Sequence, residues 1–415
     1  YWTVEADVSK QEQPFLSRLV SYKGEKVEQF SFEDEKSARD VEKTITDAAG
    51  GELTAVSISK KQRRRNPTAP FTTSTLQQES SRKLGFNTQW TMRVAQKLYE
   101  GIEIPGEGQV GLITYMRTDS VTLADVALDE IRELIAERYG KENVPDDVRV
   151  FKTKAKNAQE AHEAIRPTSV RHTPESLKGS LDEDQLKLYS LIWKRTMACQ
   201  MVPAVFDTVA IELAAGNPDD GHRFRANGSV LVEPGFMAVY KEGQDDAAKD
   251  DDGDRLLPEV LEGDVIKLDE LRADQHFTDP PPRFTEASLV KTLDEYGIGR
   301  PSTYASIIAT LKNREYVEIE SKRFFPTDIG RIVNGFLTDH FSKYVDYDFT
   351  AKLEDDLDAV SLGEKDWVPV LADFWGPFKE LCVDKEESVT REQVAQAREL
   401  GVHPKSGKPM TVRMG

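Results

Sequence analysis

Gly111-Leu112-Ile113-Thr114-Tyr115-Met116-Arg117-Thr118-Asp119-Ser120 is the stretch on which the rest of the chain turns. Residues 110–116 read as a short strand that runs into a polar turn. In an extended segment residues i and i+2 share a face, so Tyr115 and Arg117 project together. A phenol has a reference pKa of about 10 and is a weak nucleophile at neutral pH unless its proton is removed or stabilised. A guanidinium is a permanently charged, planar fork that suits phosphate. The pair therefore has two readings. One is a nucleophile beside a phosphate clamp; the other is a packing tyrosine with a hydrogen-bonded hydroxyl. Thr114, Thr118, Asp119 and Ser120 add polar groups that weigh towards the first.

Working outward, residues 101–108 form a Gly-rich connection. They do not follow a strand and open a helix as a phosphate cradle would. Upstream, Thr72 or Thr73 caps a helix to about Leu84, stopped at Gly85. Asn87 or Thr88 caps the next, with Trp90, Val94 and Leu98 on one face. Downstream, Ser120 or Thr122 starts a helix striped by Ala127, Ile131 and Leu134 and stopped at Gly140. Residues 157–166 are short and polar, ended by Pro167. Residues 182–200 form an amphipathic helix whose Leu186, Tyr189, Trp193 and Met197 face a core.

Strand patterns flank this helical block on both sides. Before it come residues 2–6, 15–20 and 53–58, with a short helix over 37–49 that ends at Gly50-Gly51. After it come 204–211, 221–240 and 264–271. The simplest account is one β-rich domain interrupted by a helical insert. Residues 60–70, basic and Pro-containing, read as a linker. Asp279-Pro280-Pro281-Pro282 marks a boundary. Beyond it Thr285 with Ser288 opens a helix to Glu295, and 297–301 is a turn. Ser302 caps a helix to about Asn313, 317–325 is a hairpin, and 328–340 is a helix. That order is either a winged helix-turn-helix, which often reads DNA, or a small packing unit. Residues 384–400 read as charged and helical.

A chain of 415 residues has room for two to four domains. A hydrophobic share of 38% with 31% charged residues suits a soluble protein, and no apolar run approaches the ~20 residues that span a bilayer. No initiator Met or targeting segment is visible, and both ends look cut, so a piece of a longer protein is expected. The two cysteines, Cys199 and Cys382, are too few for a tetracysteine zinc site and read as reduced thiols in a cytoplasmic protein. The net charge of −18 does not exclude a nucleic-acid partner, because local patches decide binding. Asp245, Asp246, Asp250, Asp251, Asp252 and Asp254 crowd into one run, which reads as a solvated loop. Lys60, Lys61, Arg63, Arg64, Arg65, Arg82, Lys83 and Arg93 concentrate elsewhere.

Four stretches, in order, resemble bacterial type IA DNA topoisomerases. They are Ala69-Pro70-Phe71-Thr72-Thr73-Ser74-Thr75-Leu76-Gln77-Gln78, the Tyr115 string, Gln159-Glu160-Ala161-His162-Glu163-Ala164-Ile165-Arg166-Pro167, and Gly297-Ile298-Gly299-Arg300-Pro301-Ser302-Thr303-Tyr304-Ala305. The resemblance implies an α+β, multidomain clamp. Its parts are a β-rich arch (1–70 and 203–279), interrupted by a helical, winged-helix-like domain that carries the active-site Tyr (71–202). A helical DNA-binding gate-side domain (280–384) follows, and then a charged linker with the start of a truncated C-terminal repeat (385–415).

The resemblance also implies roles. Tyr115 attacks a DNA phosphodiester and becomes linked to the 5′-phosphate, with Arg117 neutralising charge. His162, Arg166, Arg300, Thr303, Arg314, Thr118 and Asp119 are the implied DNA-binding residues. By its own setting Arg166 is either a phosphate contact or a helix C-terminal charge, and Arg314 either lies near DNA or complements a helix dipole. Arg300 precedes a capped helix, where N–H groups and a guanidinium make a natural phosphate site. Mg2+ is implied in the full enzyme, held by an N-terminal toprim domain with no counterpart in this sequence; no metal ligands are assigned here.

The implied partner is a single-stranded segment of negatively supercoiled DNA, and the implied protein is a bacterial cytoplasmic monomer associated with the nucleoid. This chain is expected to bind single-stranded DNA without cleaving it alone. The competing readings are a non-catalytic winged-helix DNA-binding protein, in which Tyr115 is a core phenol, and a tyrosine recombinase or nicking enzyme, families that lack this order of motifs.

Overall fold

The computed structural model describes residues 1–152, 163–244, 256–390, 394 and 398–412. The chain starts with β1 (Trp2–Lys10), β2 (Gln13–Tyr22), β3 (Glu25–Lys26), α1 (Glu35–Ala49) and β4 (Glu52–Arg65). It continues through α2 (Thr73–Glu79), a π-helical turn (Ser80–Leu84), α3 (Thr88–Glu100), the hairpin β5 (Ile102–Ile104) and β6 (Gly108–Val110), α4 (Asp125–Tyr139) and α5 (Glu183–Cys199). The strands β7 (Ala204–Ala215), β8 (Arg223–Glu233) and β9 (Val265–Gln275) then return.

The strands before and after the helical block form one sheet in the order β1-β9-β4-β7-β8-β2, with β3 added to β2. All neighbours are antiparallel, and β2 pairs back onto β1, so the sheet closes on itself. Closure leaves no long unpaired edge within the ring. The alternation in β1 buries Trp2, Val4, Ala6 and Val8 on one face. Helix α1 is capped by Asp34, which accepts the Ser37 N–H at 2.8 Å, and is stopped by Gly50 in the left-handed region. It lays Ala38, Val41 and Ile45 onto the same core.

Strands β4 and β7 pair from Leu53↔Ala215 to Arg65↔Ala204, making a two-stranded stalk that carries the insert. The linker expected over 60–70 is therefore corrected. Residues 60–65 are strand because their backbone groups pair with β7, while Lys60, Lys61, Arg63 and Arg64 remain exposed. The Arg63 guanidinium lies over the Phe206 ring at 5.1 Å.

In the insert, Thr72 and Thr75 form a capping box for α2, Asn87 caps α3, and Asp182 with Gln185 boxes α5. Two expectations fail here. Residues 101–108 are a hairpin, β5 and β6, rather than a plain connection. Helix α4 begins at Asp125, not near 120–122, because Ser120 and Thr122 are spent elsewhere: Ser120 Oγ accepts the Thr122 N–H at 3.1 Å, and the Thr122 carbonyl accepts the Ala164 N–H at 2.9 Å. The predicted stripe Ala127, Ile131 and Leu134 is buried, as are Tyr189, Trp193 and Met197. Their core extends past residue 202 to Phe206, Phe236 and Tyr240.

The rest of the chain holds α6 (Glu286–Glu295), α7 (Tyr304–Asn313), the hairpin β10 (Val317–Glu320) and β11 (Arg323–Pro326), and α8 (Asp328–His340). Helix, helix, wing and helix follow in the expected order around Val290, Tyr304, Ile308 and Phe324. Helices α9 (Ser342–Val345), α10 (Tyr347–Ser361) and α11 (Trp367–Ser388) come next. Phe336 of α8 meets the ring of Phe341, 5.8 Å away, which in turn lies 6.1 Å from Phe378 of α11, and Tyr344 of α9 packs on the same Phe378 at 5.0 Å. Of the charged helix expected over 384–400, residues 384–388 close α11 and 398–400 instead open β12 (Arg398–Val402), which pairs with β13 (Pro409–Val412); residues 391–393 and 395–397 lie outside the described residues. No helix among the described residues is long and apolar enough to cross a membrane.

Helix α6 packs on α2, and α7 on α3. At this contact the Thr88 N–H, at the start of α3, donates to Glu286 Oε2 at 2.8 Å, and Lys312 reaches Glu286 at 3.4 Å. Glu286 is 8% exposed. A buried carboxylate on a helix N-terminus satisfies an orphan donor and meets the positive end of the dipole. Glu286→Ala should weaken this docking by about 1–2 kcal/mol, the usual size of a lost N-terminal cap. Hydrogen exchange at the Thr88 amide should accelerate while α5 amides keep their protection.

Candidate active site

Tyr115 sits on a loop, not on the expected strand. Residues 111–124 carry no regular ladder; Ile113 makes one isolated bridge to Pro167. Proline has no N–H, so pairing cannot propagate there. The expected alternation survives by other means. Leu112, Met116 and Thr118 are buried, while Tyr115 and Arg117 are exposed. The two side chains therefore point outward together, as an extended segment requires.

The loop is tied down from several sides. The Leu112 N–H donates to the Leu98 carbonyl at 2.8 Å, and the Thr168 N–H to the Leu112 carbonyl at 3.0 Å. Thr114 Oγ1 donates to the Ala164 carbonyl at 2.6 Å, and the Thr114 N–H to the Arg166 carbonyl at 2.9 Å. On the other side, buried Thr73 donates through Oγ1 to the Met116 carbonyl at 2.7 Å and accepts the Thr118 N–H at 2.9 Å. Two of the quoted strings thus meet at Thr73, and a third at Ala164 to Arg166. Tyr115 itself is 40% exposed, and its ring lies 5.4 Å from that of Tyr99, at 65°.

The fourth string approaches through α6 and α7. Tyr304 donates its hydroxyl to Asp294 Oδ1 at 3.2 Å. Burial raises the Asp294 carboxyl above its usual range, opposed by hydrogen bonds from Tyr304 and Ser74 and aided by the charge of Asp119. Asp119 and Ser74 are thereby neighbours of Asp294, so the first, second and fourth strings converge. Arg300 is held in its turn. It reaches Asp358 Oδ2 at 2.6 Å, Glu354 at 3.9 Å and Asp355 at 3.8 Å, and donates to the Gly299 carbonyl at 2.8 Å. Burial works against its charge, but Asp358 and Glu354 hold the pKa above the ordinary value.

Thr303 precedes α7, where Ser302 was expected to cap. Its Oγ1 accepts the Arg300 N–H at 2.8 Å instead of capping the helix. Arg314 is exposed at the C-terminal end of α7. The Arg166 side chain is 13% exposed, paired with Glu163 at 2.5 Å and bonded to the Pro167 carbonyl at 2.8 Å. Thr118 is corrected as a direct DNA contact: it is 1% exposed, and its Oγ1 accepts the Ser120 N–H at 3.0 Å, so it shapes the loop. His162 lies outside the described residues.

Sequence reasoning missed a second cluster. Glu79, 2% exposed at the end of α2, accepts the Tyr240 hydroxyl at 2.5 Å and the Gly243 N–H at 2.9 Å. Arg82 and Lys83 pair with it at 3.3 and 3.8 Å. Arg195, 4% exposed, joins through Glu242 at 2.6 Å and the Ala69 carbonyl at 2.6 Å. Burial pushes the Tyr240 phenol up and the Lys83 ammonium down. The one local signal is the π-helical turn at Ser80–Leu84, a form common near functional sites.

A family model described as DNA topoisomerase matches residues 1–372. The chain belongs to the bacterial type IA DNA topoisomerase family. DNA topoisomerase 1 of Xylella fastidiosa is 53% identical over 416 residues, covering 100% of this chain and 51% of its own length. That of Rickettsia felis is 46% identical over 397 residues, covering 95% and 50%. The structure of full-length topoisomerase I from Thermotoga maritima matches with a TM-score of 0.78 at 33% identity, covering 100% of this chain and 63% of that one. This topoisomerase chain spans about half the length of the curated relatives it matches.

Proposed function

We propose that this chain is the strand-cleaving and gate-forming part of a type IA topoisomerase, which breaks one DNA strand, passes another through and reseals the break, relaxing negative supercoils. The observation that carries the reading is Tyr115 beside Arg117, both exposed on a loop held by its neighbours: Met116 between them is buried with its carbonyl bonded to Thr73, and Thr114 is bonded to Ala164. Tyr115 Oη attacks a backbone phosphorus and loses its proton. The phosphorus–O3′ bond breaks, and the leaving 3′-oxygen takes up a proton. The 5′-phosphate stays on Tyr115 as a phosphodiester, so the reverse attack by the 3′-hydroxyl reseals the strand without ATP. Arg117 offsets the charge that builds on the phosphoryl oxygens.

Asp119, Arg166, Arg300, Thr303 and Arg314 are the proposed DNA-side residues. Arg300 is held by carboxylates of α10, so a phosphate there must compete with Asp358 for the same fork. No group of three or more His, Cys, Asp or Glu among the described residues is arranged to hold a metal ion. Mg2+ is proposed for a toprim domain of the complete enzyme, and no step above runs through it. The proposed setting is the bacterial cytoplasm, at the nucleoid, as a monomer on single-stranded segments.

The test uses this chain with a labelled single-stranded oligonucleotide. Binding that falls with added salt, with no covalent adduct in Mg2+, is the expected result. A covalent adduct formed by this chain alone would overturn the division of labour.

A further inference from the structure

We propose that Tyr99 is a positioning residue for the Tyr115 phenol. The inference rests on the reading of Tyr115 as nucleophile. Tyr99 is the second-last residue of α3, and its ring meets that of Tyr115 in an edge-to-face contact, centroids 5.4 Å apart at 65°. Both residues are 40% exposed. Beneath them the two backbones are locked together. The Leu98 carbonyl accepts the Leu112 N–H at 2.8 Å, and a Cβ on Gly111 would lie only 2.7 Å from the Tyr99 carbonyl oxygen. Only glycine admits so close an approach.

The Tyr99 ring therefore springs from a backbone fixed against the Tyr115 loop, beside a solvent-facing phenol. An exposed side chain samples several rotamers on a fast timescale. An edge-to-face ring contact is directional and favours one of them. In-line attack rewards this, because the phenol oxygen must wait within about 3–3.5 Å of phosphorus.

Two readouts test the proposal. In this chain, with ring-labelled tyrosine and the Tyr115 signals assigned through Y115F, Tyr99→Leu should shift the Tyr115 ring resonances, and Tyr99→Phe should leave them near their original positions. In a complete enzyme carrying the chain, Y99L should slow single-turnover cleavage about three- to tenfold. The Kd for the oligonucleotide should stay unchanged, and Y99F should restore the rate. Unchanged Tyr115 resonances in folded Y99L would overturn the proposal. So would a loss of DNA affinity matching the loss of rate, which would make Tyr99 a platform on which a base stacks. If cleavage survives in Y115F, the underlying reading of Tyr115 has failed, an outcome distinct from either result at Tyr99.

Discussion

In a complete enzyme carrying this chain, Tyr115→Phe should abolish the covalent DNA adduct and lower plasmid relaxation by at least ~10^4-fold, while single-stranded DNA binding should persist. In the proposed mechanism the phenol oxygen forms the new bond, and Phe has none. The ring remains, so the contact with Tyr99 remains. The bonds that brace the loop run through Thr73, Leu112, Thr114 and the backbone of Met116 and Thr118, none of which the substitution touches. Loss of cleavage with an intact fold therefore isolates the chemistry. Adduct trapping on denaturing gels and plasmid relaxation measure the effect, and far-UV circular dichroism checks the fold. Relaxation that survives in Y115F contradicts the role of Tyr115.

The largest stability effect is expected at Glu79. Glu79→Ala should cost about 3–5 kcal/mol, as when one member of a buried ion-paired network is removed. The carboxylate is 2% exposed, and its loss removes the acceptor of the Tyr240 hydroxyl and of the Gly243 N–H and leaves the Lys83 ammonium to the Lys241 carbonyl and the Tyr240 ring. The pH dependence follows from Lys83. Burial lowers its pKa below the ordinary 10.5, and Glu79 opposes that. A folded pKa below the unfolded one makes the charged form costly below the folded pKa, and the cost fades as pH rises towards the unfolded value. Without Glu79 the cost grows, so the deficit of E79A should narrow as pH approaches that range. Denaturant unfolding followed through Trp90 and Trp193 measures it. A loss under about 1 kcal/mol would reduce the cluster to an ordinary surface ion pair.

Helix starts were legible because their signals are local. Thr72 and Asn87, each one of two candidates in the sequence, and Thr285 accept an N–H three residues on, as does Asp182 at the expected start of α5, whereas Ser302 does not cap α7. Strand extent was less legible. Lys60 to Arg65 carry no apolar alternation, and they extend β4 because β7, far along the chain, supplies the ladder. The Tyr115 stretch lies between these cases. Its outward face was readable from the two-residue period, but its brace depends on hydroxyls such as Thr73, which a strand pattern does not register. Glu79 was invisible for the same reason, since its partner Tyr240 is 161 residues away. Arg300 was read as a phosphate site from its turn, whereas its partner Asp358 comes from a helix 58 residues on.

Mapping the covalent adduct tests the central claim most directly. A complete enzyme carrying this chain is incubated with a single-stranded oligonucleotide, denatured and digested, and the modified peptide is sequenced by mass spectrometry. The predicted result is a 5′-phosphoryl nucleotide on Tyr115, in the peptide that spans Gly111 to Ser120. A nucleotide on any other residue, or linkage through a 3′-phosphate, would contradict it.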